Sequence, residues 1–286
     1  GIPVKKKHEN IYKTLLDLSH QILNARQLPI YSSRFSRKDF TTYQLTTLIV
    51  VKTYENKGYR AFVDWLKASH VPKWLKLKKI PHFTTLQKFA SRLMVKSLEK
   101  LLKTSGLLSK KKCHHSGLDA TGISMRHASR HYEKRIGIPI KKKDSIKCAI
   151  AADLDNQLVL AAKFRKRWRH DTKDFMPIWN KIKDLPFNWW YADKGYDENA
   201  MHQAVYDKSK TSFGCIKNFD VPVWRTKGVA RKRAKRHAKY RQKNWRALVE
   251  TMNFVIKRRF GSVVYARKWH TMKVEMYLKL ITYNLY

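Results

Sequence analysis

The spacing of apolar residues changes character near Lys110-Lys-Lys-Cys-His-His115, and that change limits the folds open to the chain. Upstream, apolar residues recur at helical intervals. In the run 42–54, Leu45, Leu48, Ile49 and Lys52 share a face, and Gly58 then breaks the pattern. A short helix is predicted from residue 59 to about 66. Thr84 and Thr85 open a longer one, with Leu86, Phe89, Leu93, Leu98 and Leu101 as its apolar stripe and Gln87, Lys88, Ser91, Arg92 and Lys96 facing outward. Short helices joined by tight turns, the last with a basic polar face, resemble a helix-turn-helix that reads DNA. Downstream, apolar runs bounded by turns alternate with helical stretches. The pattern predicts a strand over 116–125, a hairpin over 146–164 turning at Asp153-Leu-Asp-Asn156, and a helix over about 171–182. A strand over 188–193, a helix over 198–206, a strand near 212–216 and two C-terminal helices complete the series. The expectation is an α/β domain over 111–286 preceded by a helical DNA-binding region over 1–110.

Charge narrows the partners. The chain of 286 residues carries 62 Lys and Arg against 21 Asp and Glu, a formal charge of +41, which repels itself and calls for an external polyanion. Nucleic acid is the densest common one. The apolar fraction of 43%, with 12% aromatic, argues against disorder throughout. An anionic membrane is the competing partner, but the longest stretch without a charged residue, 40–51, is too short to span a bilayer. The sequence after Gly1 lacks the apolar segment of a signal peptide. Cys113, Cys148 and Cys215 are sparse and far apart, so the expectation is a reducing cytoplasm with no disulfide framework. Cys113-His114-His115 lacks the second ligand pair of a zinc finger. The stretch 225–243 holds ten Lys or Arg and no acid, and phosphate contact is favoured over a merely solvated face.

Against this basic background each isolated carboxylate is informative. Asp119 sits in Gly117-Leu-Asp-Ala-Thr-Gly-Ile123, on a strand where an unpaired buried carboxylate is costly unless a cation or metal meets it. Asp193 ends the aromatic strand in Tyr191-Ala-Asp-Lys-Gly-Tyr196, at the edge where α/β sheets present functional groups. Glu250 shares one helical stripe with Arg246, Asn253 and Lys257, opposite Leu248, Val249, Met252, Val255 and Ile256. The plainer alternatives are a capping aspartate, a strand-end turn pivoting on Gly195, and an Arg246–Glu250 surface pair. Together the three suit phosphodiester chemistry by two divalent metals about 3.5 to 4 Å apart, which needs several carboxylate oxygens. No Walker loop, dinucleotide fingerprint or G-x-S-x-G elbow is present.

These motifs resemble the DDE transposases of bacterial and archaeal insertion sequences, whose catalytic core is RNase H-like. Asp119-Ala-Thr-Gly matches the first-strand motif, Ala192-Asp193-Lys-Gly-Tyr196 the second, and Arg246-x3-Glu250-x6-Lys257 the signature around the glutamate. The last stretch, with Thr282-Tyr-Asn-Leu285, is similar to the family's C-terminal helix. The fuller signature has a Tyr three residues before the Arg, where this chain has Lys243, and Tyr240 is out of register. The resemblance implies an RNase H-like mixed sheet flanked by helices, with Asp119, Asp193 and Glu250 as catalytic ligands of two Mg²⁺ or Mn²⁺ ions. It implies water-driven cleavage at the element's ends, then attack of the freed 3′-hydroxyls on target DNA. Arg246 and Lys257 are then expected at the phosphate, with Arg231, Lys232, Arg233, Lys235 and Arg236 clamping the backbone. Lys194, Lys88 and Arg92 are further expected DNA contacts, and His170-Asp171, which resembles a polar pair common in related sequences, is a candidate for DNA contact. A homodimer on double-stranded DNA, terminal repeats and target alike, follows from two ends having to meet. The implied setting is a prokaryotic, nucleoid-associated cytoplasmic protein. The readings kept beside it are a catalytically inactive or domesticated DNA-binding relative, a metal-dependent nuclease of the same fold, and a ribosome-like RNA binder.

Overall fold

The computed structural model describes residues 10–31, 37–109, 111–125, 145–166, 169–214, 216–238 and 245–286. Lys243, Tyr240 and Cys215 lie outside them. In chain order the elements are α1 (Ile11–Asn24), α2 (Thr42–Tyr54), α3 (Tyr59–Ala68), α4 (Val71–Trp74), α5 (Phe83–Arg92), α6 (Val95–Gly106), β1 (His115–Met125), β2 (Ser145–Asp153), β3 (Leu158–Arg165), α7 (Thr172–Ile182), β4 (Trp189–Ala192), α8 (Asn199–Tyr206), β5 (Thr211–Ser212), α9 (Val229–Ala238), α10 (Arg246–Phe260) and α11 (Trp269–Leu285). They cluster into two compact units, one within Gly1–Leu108 and Ile256–Tyr286, the other Ser109–Val255.

The first unit is helical. α2 starts from a capping box, in which the Thr41 hydroxyl accepts from Gln44 N–H and the Gln44 side chain accepts from Thr41 N–H. Its apolar side, Leu48, Ile49, Val50 and Val51, is fully buried, as are Leu15, Phe62, Leu66, Leu98 and Leu102 from its neighbours. α11 is buried on nearly every side, and its Asn284 amide donates to Ser105 Oγ of α6. The single long helix expected after Thr84 is instead two helices, α5 and α6, parted at Leu93-Met94. On one uninterrupted helix Leu98 would stand about 120° round from Leu86, so a straight helix cannot bury both stripes against one core. Among the described residues no helix is long and apolar enough to cross a membrane.

The second unit is a mixed sheet in the order β3-β2-β1-β4-β5. β1 runs antiparallel to β2, with Asp119 opposite Ile150, and parallel to β4, with Leu118 opposite Ala192. α7 and α8 contribute to a core of Leu118, Ala149, Ala151, Phe175, Ile178, Trp179, Trp190, Tyr196 and Val205. Trp179 and Trp190 cross edge to face with ring centroids 5.2 Å apart. The strand expected near 212–216 is only the short β5, and part of the basic run forms the helix α9.

A buried polar cluster ties α9 to the sheet. The Asp197 carboxylate accepts from Arg231 Nε and Nη2 at 2.9 and 2.6 Å and from Lys217 N–H at 2.7 Å. It also lies 3.0 Å from His202 Nε2, and His202 Nδ1 is 2.8 Å from Ser212 Oγ. Ser212 and His202 are fully buried, so this Ser–His–Asp line is structural and has no access for a substrate. Burial pushes the Asp197 carboxyl up, but the bonds from His202, Arg231 and Lys217 outweigh it and hold the group at about 2. A carboxyl depressed on folding stabilises above its unfolded value near 3.8 and loses that contribution as pH falls through about 2. The gap predicts that Asp197→Asn costs about 2 kcal/mol at pH 5. Urea unfolding of both proteins between pH 5 and pH 2 measures it, and the difference between them is expected to shrink toward the acid end.

Candidate active site

The site grows from one match of repeat lengths between helix and strand. Residues four apart on a helix advance about 6 Å, and residues two apart on a strand about 6.6 Å. α10 and the residue before it lie along β1 in that rhythm. Trp245 stacks on His115 with ring centroids 3.7 Å apart, Val249 sits over Gly117, and Asn253 reaches Asp119. Gly117 favours the middle contact, because a Cβ there would stand 3.0 Å from Val249 Cγ2 and 3.1 Å from Leu154 Cδ1, and both side chains would have to give by a few tenths of an ångström. His115 is itself held by Asp155, whose carboxylate accepts from the backbone N–H of His114 and His115 at 2.7 and 2.8 Å.

This alignment brings the acids together. Asp119 and Asp193 each come immediately after a residue of the last β1–β4 pair, Leu118 and Ala192, where β4 ends, which starts both side chains from neighbouring points of the sheet. Asn253 Nδ2 donates to Asp119 Oδ2 at 3.1 Å. Burial pushes the Asp119 carboxyl up; the bonds from Ala120 N–H and Asn253 oppose this, and the charges of Glu250 and Asp193 add to it. Arg246 bridges the other two, with Nη1 2.5 Å from Glu250 Oε1 and 3.6 Å from Asp193 Oδ1. Asp193 and Glu250 are 44% and 50% exposed, so the centre opens to solvent on their side while Asp119 forms its floor. A half-buried Asp119 whose ionisation is opposed by burial and by the charges of Glu250 and Asp193, with a guanidinium between those two, is suited to a cation. Hard oxygen ligands with an open side fit Mg²⁺ or Mn²⁺, which keep waters in their shell.

Among the described residues, a tighter group of possible metal ligands lies elsewhere: Cys113, Asp153 and Asp155 have ligand atoms within 4.8 Å of one another. Their atoms already serve the fold. Asp153 accepts from the Asn156 backbone and side chain at 3.0 and 2.6 Å, and Asp155 holds His114 and His115. Burial, then Asp153, pushes the Cys113 thiol up, which opposes the thiolate that a metal needs.

The expected cationic residues are dispersed. Lys194, Arg233 and Arg236 are exposed, Lys232 and Lys257 half-buried, and Lys88 and Arg92 exposed on α5 of the other unit. Two of the expected phosphate contacts are used inside the fold. Lys235 is 3% exposed and its ammonium donates to the carbonyls of Asn218 and Val221. Arg231 is committed to Asp197. Asp171 pairs with buried Lys147, and His170 Nδ1 lies 3.1 Å from Thr172 Oγ1. Sequence reasoning passed over Trp245, Lys147 and the Asn253–Asp119 bond. The spacing of Trp245, Val249 and Asn253 at every fourth residue was a signal for the first and last.

In comparison with known families, the family described as transposase DDE domain matches residues 115–285. Neither a curated protein nor a solved structure matches the chain. The geometry predicts that Glu250→Gln, by removing one of the neighbouring charges, lowers the Asp119 pKa. Carboxyl-carbon NMR titration of Asp119 in both proteins checks it, the expected result being a downward shift in the variant.

Proposed function

We infer the function from a plain premise, that this chain belongs to the transposase DDE-domain family, whose enzymes act on DNA and depend on divalent metal. Asp119, Asp193 and Glu250 are the catalytic carboxylates and hold two Mg²⁺ or Mn²⁺ ions. The observation that carries this reading is the approach of Asp193, just past the end of β4, and of Glu250 on α10 to Asp119 within β1, close enough for both charges to act on it. When bound, the ions supply an activated oxygen nucleophile and stabilise the leaving oxygen of a phosphodiester.

The residues of the chain divide the remaining work. Asn253 donates to Asp119 and fixes the direction of its carboxylate. Arg246 neutralises Asp193 and Glu250 before metal arrives and is placed to take a phosphate oxygen afterwards, as a planar fork suits. Lys257 continues the same helix with a second cation. Arg233 and Arg236, exposed on α9, together with Lys232 and Lys194, hold the DNA backbone without reading sequence. α5, with Lys88 and Arg92 outward, is the helix assigned to DNA contact in the other unit. The reaction is cleavage at the ends of an insertion sequence, followed by transfer of the 3′-hydroxyl ends into target DNA, with two copies holding two ends.

The test uses purified protein, labelled duplexes carrying candidate ends, and a target plasmid. Cleavage and joined product are expected with Mg²⁺ or Mn²⁺, lost with EDTA and lost in Asp119→Ala, whose DNA affinity stays near wild type. Binding without cutting, despite correct ends and Mn²⁺, favours the inactive relative, and cutting without joining favours the nuclease. Arg233→Ala and Arg236→Ala are each expected to weaken binding to all sequences alike and to reduce the salt slope by about one. Lys235→Ala is expected to leave that slope unchanged, because its ammonium faces carbonyls.

A further inference from the structure

We propose that Lys147 and Asp171 form a brace that fixes the turn presenting Asp193, making both of them positioning residues for the active site. The inference rests on the reading of Asp193 as a metal ligand.

Lys147 lies on β2 and is 1% exposed. Its ammonium is 2.6 Å from Asp171 Oδ1, 2.6 Å from Asp174 Oδ2 and 2.9 Å from the Arg169 carbonyl oxygen. Arg165 of β3 pairs with the same Asp174 and donates from Nη2 to the Lys173 carbonyl at 2.8 Å. Buried charges of this kind carry a large desolvation cost, and a well-packed apolar replacement is often as stable. Their value lies in fixed orientation, and the orientation here points at the Asp193 turn.

Three contacts make the connection. A Cβ on Gly195 would stand 2.1 Å from Asp171 Oδ2 and 3.0 Å from its Cγ, so the carboxylate lies directly on the Gly195 backbone. Only glycine leaves room for it. The turn Lys194–Tyr196 begins immediately after Asp193, so a carboxylate held by Lys147 sets the path of the chain two residues beyond the proposed ligand. Tyr196 completes the turn from the other side. It is 1% exposed, its hydroxyl has no hydrogen-bond partner among the described residues, and it feels Asp171 and Asp174 together with Asp119 and Asp193. Lys147 also stands opposite Gly122 on β1, the strand that carries Asp119. The brace therefore refers the position of Asp193 to the strand that bears its partner.

The test is Mn²⁺ titration calorimetry on the full chain, with hydrogen exchange of the amides at 194–197 as a readout that involves no metal. Wild type is expected to bind Mn²⁺ and Asp193→Asn to lose binding. Asp171→Asn and Lys147→Met are expected to bind about tenfold more weakly, with faster exchange in the turn and unchanged DNA affinity. Gly195→Ala is expected to weaken Mn²⁺ binding too, and its effect is expected to shrink in an Asp171→Ala background, since the clash is with that carboxylate. Asp171→Asn, at a partly exposed position, keeps the test decisive if Lys147→Met does not fold. Folded variants that bind Mn²⁺ like wild type, or a Gly195→Ala penalty equal in both backgrounds, overturn the brace. If wild type shows no Asp193-dependent Mn²⁺ binding, the metal reading falls, and the turn's exchange rates alone decide whether the brace exists.

Discussion

The alignment of α10 with β1 is the constraint on which the site depends. A helix laid along a strand with four-residue steps against two-residue steps keeps register for several contacts, because the two advances are nearly equal. Here the first contact is an aromatic stack, the second a methyl group over a glycine, and the third a hydrogen bond. Each excludes a different error. The stack fixes the start of the helix, Gly117 allows the close approach, and Asn253 specifies the rotation that turns Glu250 and Arg246 toward Asp193. A carboxylate from residue 250 thereby meets two from strands more than fifty residues earlier.

The parts of this arrangement legible in the sequence are those that depend on scarcity or period. Asp119, Asp193 and Glu250 stand out because acids are few and each sits beside glycine, an aromatic strand or a periodic helix. Strand and helix order across 115–206 followed from period and turn residues, which local sequence states directly. The interruption at Leu93-Met94 was hidden because no Pro or Gly marks it; only the phase of the two stripes requires it. Within the basic run, Arg231 and Lys235 look like their neighbours. Their burial depends on Asp197 and on carbonyls at Asn218 and Val221, which no local pattern announces. Lys147 likewise reads as one more lysine until α7 places Asp171 and Asp174 against it.

The large positive charge thus has two populations. In each unit a helix carries exposed cations, Lys88 and Arg92 on α5 in one and Arg233 and Arg236 on α9 in the other. Buried ones, Lys147, Lys235 and Lys279, hold carboxylates or carbonyls and shape the backbone. Burial, more than its neighbours, pushes the Lys279 ammonium's pKa down, and the carbonyls of Gly261 and Val263 accept from it at 3.0 and 2.7 Å. Counting basic residues therefore overstates the surface available for phosphate.

The central claim, that Asp119, Asp193 and Glu250 make one metal centre, is tested most directly by replacing Mg²⁺ with Fe²⁺ and mapping the backbone cuts made by locally generated hydroxyl radicals. Cuts are expected within β1 around Asp119, in the turn after Asp193 and beside Glu250, all suppressed by excess Mg²⁺ and absent in Asp119→Ala. Cuts centred on Cys113, Asp153 and Asp155, or cuts at the three carboxylates that persist in Asp119→Ala, would contradict it.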